Sequence, residues 1–290
     1  MRDIRGIGAT ALAVALLLGA CGDDDTAAPT SGEAAAVTTT STPEDGDGAP
    51  AEGVADVTEE LTGGDGVFVG SPEGRATVDG YVESEYVAAG SATAYAADGE
   101  LTGDGRWTLA PGEEAEYRTR VVVRRPEDPD DSSGVVILEW MNVSGGVDAD
   151  PEWSSLKEEI GRQGHVWIGV SAQMLGIEGG APRVTISGVE GSEAAGQGLK
   201  ALDPERYGSL EHPGDAFAYD IYTQIGRAVR EGIPALEDLA VDHLIAAGES
   251  QSAAALVTYI NGFQPESEAF DGFFVHSRGA AGLPLPAPGE

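Results

Sequence analysis

The stretch that decides the fold is Asp242-His243-Leu244-Ile245-Ala246-Ala247-Gly248-Glu249-Ser250-Gln251-Ser252-Ala253-Ala254-Ala255-Leu256-Val257-Thr258-Tyr259-Ile260. A short apolar run ends at Gly248, a serine follows two residues later, and an alanine-rich run then reads as the opening of a helix. Strand, sharp turn bearing a serine, helix is the geometry of a nucleophile elbow. Such a turn strains the serine backbone, so the residues two before and two after must be small. Gly248 and Ser252 satisfy that, with Ser252 standing where the pattern usually has glycine. The elbow lifts the Ser250 hydroxyl clear of the sheet, and the N–H of Gln251, at a helix N-terminus, is placed to bind a developing oxyanion. A plain turn with a solvent-facing serine fits the same five residues. The surrounding chain has to decide between them.

Upstream of the elbow, Gly134-Val135-Val136-Ile137-Leu138-Glu139-Trp140 reads as a strand buried on both faces, as central parallel strands are. It runs into Met141-Asn142-Val143-Ser144-Gly145-Gly146, a glycine-rich loop at the carboxyl end of a strand, where open α/β sheets bind ligands. A simple turn is the other reading of that loop. Pro151 to Arg162 carries Trp153, Leu156 and Ile160 at helical spacing, and His165 to Val170 is the next buried strand. Ala216 to Glu231 is a helix, and Phe270-Asp271-Gly272-Phe273-Phe274-Val275 a further strand. Before all of these come strand-like residues from Gly80 to Tyr95. Tyr117 to Val123 alternates in the manner of a half-exposed strand. Between Met174 and Asp215 lies a long glycine-rich insertion, read as an ordered cover over a pocket, since loops of this length are functional or disordered. The succession of strands and helices is the one a doubly wound, mostly parallel sheet with antiparallel N-terminal strands requires.

That order, with the serine after the fifth strand, is also the order of the α/β-hydrolase superfamily. Three stretches resemble a little-characterised family known only as alpha/beta hydrolase domain proteins: Glu139 to Gly146; His212-Pro213-Gly214-Asp215-Ala216-Phe217; and Gly248 to Ser252 together with Phe270 to Phe273 and His276-Ser277-Arg278. The resemblance covers about Gly80 to Gly282. It implies a serine hydrolase acting on a carboxylic ester or related acyl bond, with the small-molecule substrate left open. It also implies that the Asn142, Val143, Ser144 and Gly145 loop supplies the second oxyanion N–H beside that of Gln251.

A serine nucleophile needs a base, and the base an orienting acid. In the superfamily both follow the serine, on loops after the last two strands. Here the only later histidine is His276, and the proline-rich run Gly282 to Glu290 reads as neither strand nor helix. The expectation is therefore a fold that is C-terminally incomplete, with the triad acid and histidine beyond Glu290, and a piece that is inactive by itself. His212, His276 and Glu249 are candidates for the pocket, Glu249 as an anchor of the elbow. His165 and His243 begin strands and so fall at the opposite edge of the sheet.

At the other end, Arg2 and Arg5 precede an apolar run from Ile7 to Ala20, too short to span a bilayer comfortably. Leu18-Gly19-Ala20-Cys21 resembles a bacterial lipobox, which implies a signal peptide over residues 1–20. Lipidation of Cys21 would then give an extracytoplasmic protein anchored to a cell membrane. Cys21 is the only cysteine, so no internal disulfide can form. Residues 21–64 read as a disordered acidic tether, poor in large apolar residues, and residues 65–290 as the α/β domain. The formal net charge of −34, from 50 acidic and 16 basic residues, argues against nucleic acid as a partner. No residues stand at metal-ligand spacing and no G-x-G-x-x-G follows a strand, so neither a metal nor an organic cofactor is expected. A lipoprotein that binds a ligand on this fold without chemistry is the alternative reading.

Overall fold

The computed structural model describes residues 53–71, 77–184 and 194–289. Two compact units divide the chain at Asp47/Gly48. The first, with the expected signal peptide, Cys21 and most of the expected tether, lies outside the described residues. The second carries one six-stranded sheet. Its strands are β1 (Tyr81–Ala97), β2 (Leu109–Pro126), β3 (Val135–Trp140), β4 (Val166–Val170), β5 (His243–Glu249) and β6 (Gly272–His276). They lie in the order β1-β2-β4-β3-β5-β6. β1, β2 and β4 pair antiparallel, while β4, β3, β5 and β6 run parallel. The helices are α1 (Pro151–Gln163), α2 (Met174–Glu178), α3 (Leu199–Leu202), α4 (Pro204–Tyr207), α5 (Ala218–Glu231), α6 (Gln251–Gly262) and α7 (Gln264–Ser267).

The parallel strands are short and apolar because both their faces are covered. Val136, Leu138 and Trp140 of β3, with Val166, Ile168 and Val170 of β4, meet α5 and α6 in the main core. The alternate residues Trp167 and Val122 turn the other way and pack with Trp153 and Ile160 of α1. Burying a large aliphatic or aromatic side chain contributes about 1.5–3 kcal/mol, so these two layers hold the sheet between helices. Gly164, at φ 71, ends α1 in the left-handed conformation that glycine adopts without penalty.

Two expectations change. β2 is not half-exposed: Arg120 and Arg124, on the polar side of its alternation, are buried. The alternation is real, but its polar members meet acids supplied by distant segments. Arg120 pairs with Glu85 at 2.6 Å and Asp148 at 3.2 Å, and Glu85 also takes Arg206 at 2.5 Å. Arg124 pairs with Glu83 and Asp150 and lies over the rings of Trp153 and Trp167. Burial opposes the charge on Arg120, yet Glu85, Tyr207 and Asp148 carry its pKa above the ordinary guanidinium value.

The second change concerns the start of the domain. Residues 53–64, expected as tether, are packed: Ala55, Val57 and Leu61 are buried, and Asp56 and Glu60 bridge to Ala89 and Tyr86 of β1. The segment is polar to read, but its few apolar residues fall where β1 needs covering. The insertion joins it there, since Leu199, Tyr207 and Leu210 pack against Leu61 and Val87. These residues of the insertion therefore cover β1.

Candidate functional site

The elbow forms as the stretch 242–260 dictates. β5 ends at Glu249 and α6 begins at Gln251. Ser250 between them sits at φ 56, ψ −108, a conformation that costs a non-glycine residue on the order of 1–3 kcal/mol. Gly248 is required by space. A Cβ there would lie 3.0 Å from the Ser252 carbonyl carbon, 3.1 Å from Leu256 and 3.2 Å from the Ala253 nitrogen. Ser252 is more than a tolerated substitute for glycine. Its hydroxyl accepts from Glu249 N–H at 3.1 Å and donates to Glu249 O at 2.9 Å, closing the turn on itself. Glu249 thus anchors the elbow through its main chain, while its carboxylate makes no hydrogen bond among the described residues.

The glycine-rich loop is tied to the elbow from the other side. Asn142 donates its side-chain N–H to Glu249 O at 2.9 Å. The Asn142 main-chain N–H is committed to Ala149, and Ser144 N–H to the Asn142 side-chain oxygen. Among the described residues Val143 N–H makes only a long, 3.4 Å contact with the Gln251 side-chain oxygen, and Gly145 N–H makes no hydrogen bond. Of the four expected loop donors, Val143 and Gly145 therefore remain available to a ligand, and Val143 is the one beside Gln251.

A polar chain that was not read from the sequence fixes this arrangement. Gln251 donates to the Gln173 side-chain oxygen at 2.6 Å, and Trp140 donates to the same atom at 3.2 Å. Gln173 in turn donates to Asp215 at 3.0 Å, and Asp215 accepts from Met174 N–H at 2.8 Å. All four residues stand near strand ends or in the His212–Phe217 motif, and their place at the carboxyl edge was the available signal. Beside Gln173 and Asp215 opens a cavity of about 180 Å³, walled by Trp140, Tyr219, Leu283 and Pro284.

The histidines divide sharply. His165 and His243 lie at the amino edge of the parallel strands, as expected. His212 is buried; its Nε2 lies 3.0 Å from Ala172 O and its Nδ1 accepts from Gly214 N–H at 3.2 Å. Burial holds its pKa below the usual imidazole value, against the nearby Asp215 and Asp148. It pins the insertion to the end of β4 and does not line the cavity, contrary to expectation. His276 ends β6, and its main-chain oxygen accepts from Ser250 N–H at 3.1 Å. Its ring meets Glu152 at 2.9 Å through Nε2 and the Ser277 hydroxyl at 2.8 Å through Nδ1. Neither ring nitrogen bonds Ser250. Glu152 is an acid partner the sequence order concealed, because it precedes the serine, on α1. Burial raises its pKa and the bond to His276 opposes the rise. Below it, buried Glu139 accepts from Glu152 N–H, Trp153 N–H and the Trp167 indole, which seats the start of α1 against β3.

Among the described residues no helix is long and apolar enough to cross a membrane, and no group of His, Cys, Asp and Glu is arranged to hold a metal.

The family described as alpha/beta hydrolase domain matches residues 33–290. No curated protein matches the sequence. Solved structures of similar fold include a fungal esterase from Rhizomucor miehei, with 13% identity, TM-score 0.34, and coverage of 67% of this chain and 45% of that one. A CE15 glucuronoyl esterase from Teredinibacter turnerae shows 11% identity, TM-score 0.35, and coverage of 72% and 44%. A rice cell wall degrading esterase, LipA, from Xanthomonas oryzae shows 14% identity, TM-score 0.33, and coverage of 77% and 49%. The chain spans about half the length of these structures.

Proposed function

The chain belongs to the alpha/beta hydrolase domain family, and from that premise we propose that it is a serine hydrolase of carboxylic esters or related acyl bonds, with Ser250 as nucleophile. The observation that carries this is the strained Ser250 backbone, φ 56, held between β5 and α6 by Gly248 and Ser252. Strain maintained by so many contacts is characteristic of a functional turn. Ser250 Oγ attacks the acyl carbonyl carbon, its proton passing to a base. The carbonyl oxygen becomes an oxyanion held by the N–H groups of Gln251 and Val143. The C–O bond to the leaving group then breaks, the alkoxide takes the proton, and water releases the acyl group by the same route.

The base and its acid are assigned to the chain beyond Glu290. The support is that His165, His212, His243 and His276 make no bond to Ser250, and that His212 and His276 have both ring nitrogens engaged. The piece ending at Glu290 then turns over little or no substrate. The N-terminal sequence adds a diacyl or triacyl anchor at Cys21 and an extracytoplasmic, membrane-tethered location. Intact mass of the protein from its native membrane fraction tests the anchor, and a species still carrying residues 1–20 would reject it. For the chemistry, a fluorophosphonate probe should label Ser250 in the full-length protein and leave Ser250→Ala unlabelled. Equal labelling of both would discard Ser250 as the nucleophile, and labelling of neither would favour a ligand-binding lipoprotein.

A further inference from the structure

One arginine near the elbow is left without a counter-charge. Arg118, Arg120, Arg124, Arg206 and Arg230 each pair with a carboxylate. The guanidinium of Arg183 makes no ion pair or hydrogen bond among the described residues. In a chain with 50 acidic and 16 basic residues, this is not for want of carboxylates.

Its main chain, by contrast, is held in place. Arg183 N–H and Val184 N–H both donate to Ser144 O at 2.9 Å, inside the loop that faces the elbow. Arg183, itself exposed, is one of the residues bordering the 180 Å³ cavity. Among the described residues, the other formal charge on that cavity is Asp215, whose two oxygens are already occupied by Gln173 and Met174 N–H. Gln173 is hydrogen-bonded to Gln251, so the cavity lies two side chains from Ser250.

We propose that this cavity is a substrate subsite for a compact group carrying a carboxylate, with Arg183 as its counter-charge. The preferred substrates are then short monoanionic esters, and the inference rests on Ser250 being the nucleophile. Size limits the group. The volume is that of about six waters and falls below the roughly 300–1,000 Å³ of sites for drug-sized ligands. Trp140, Ala218, Tyr219, Leu283, Pro284 and Pro286 give the cavity an apolar lining, and exposed Arg183 offers an entering carboxylate one charge-assisted contact. The large negative charge of the chain does not forbid this. Exposed charges are screened over about 10 Å at 0.1 M salt, which leaves the nearest cation to decide.

The test uses full-length protein carrying Ser250→Ala, which cannot turn over, with monomethyl succinate and the neutral dimethyl succinate as probes. Calorimetry should show the monoanion binding about tenfold tighter, as one charge-assisted contact at a partly exposed site predicts. Adding Arg183→Gln should remove the preference, and adding Arg183→Lys should keep part of it. Equal binding of the two esters, binding of neither, or a preference indifferent to Arg183→Gln would each overturn the subsite. Fluorophosphonate labelling of the unmodified serine is read separately, so loss of labelling with the anion preference intact would fault the nucleophile, and the substrate role with it, while leaving a carboxylate-binding cavity.

Discussion

Two neighbouring strands end in the same way and come to different uses. β5 runs directly into Ser250 and β6 into Ser277, and each serine has φ 56. At Ser250 the chain turns at once into a helix of 12 residues, whose first N–H groups follow directly and have no partner within the helix. At Ser277 no helix follows; the hydroxyl is exposed and bonds the preceding imidazole, His276. Identical backbone strain therefore marks a functional turn only where, as at Ser250, it is held between strand and helix. What separates the two turns is what the next residues aim at the oxygen.

The sharpest way to break that comparison is to exchange the serines' fates. Ser250→Ala should remove acyl transfer in the full-length protein by about 10³-fold or more, measured as ester turnover. Ser277→Ala should leave turnover within about threefold, since Ser277 has no oxyanion donors at hand. A comparable loss at Ser277 would mean that the Ser277–His276–Glu152 array does the chemistry. Next in size is Gly248→Val. Its Cβ would press on the backbone of Ser252 and Ala253, and overpacking of that kind costs about 1–3 kcal/mol. Denaturant titration should show the loss. Val275→Ala, at the matching position of β6, removes bulk instead and should cost about 1 kcal/mol.

The histidine that pins the insertion gives a pH test. His212 has a folded pKa below its unfolded value of about 6.5, so its contribution is complete above that pH. It is lost as pH falls from there through the folded pKa, because the unfolded chain takes up a proton the folded one resists. Thermal unfolding of His212→Asn should show a shallower acid decline than the unmodified protein, and an unchanged slope would contradict the buried neutral imidazole. Smallest of all, Ser277→Gly should alter stability by less than about 1 kcal/mol, as relieved strain is offset by a freer unfolded chain.

Much of this was legible in the residues. The apolar run of β3, the turn at Ser250 and the succession of strands and helices gave the sheet, because periodicity and turn chemistry are local properties. What stayed hidden depends on partners far apart in the chain. Arg120 and Arg124 read as the solvent face of an alternating strand, and nothing near them announces Asp148, Asp150 or Arg206. Ala55, Val57 and Leu61 are too sparse to mark a buried segment, although β1 needs them. Gln173, Asp215 and Glu152 each look like ordinary polar residues until the sheet edge gathers them around Gln251 and His276. The hydroxyl of Ser252 was visible as a departure from glycine, but its bonds to Glu249 were not.

The buried ion layer on β2 has a consequence for how the molecule assembles. Its members come from residues 83–85, 120–124, 148–150 and 206, so it closes only contacts of long sequence separation. Each guanidinium accepts burial only with its acids in place. A one-residue slip of β2 would turn Arg120 and Arg124 into the face now held by Val121 and Val123. The layer thus acts as a register check that cannot be passed early. A nascent chain still short of Arg206 holds Glu85 with half its counter-charge, and the antiparallel half of the sheet must wait for residues synthesised some eighty positions after Arg124 before it can lock.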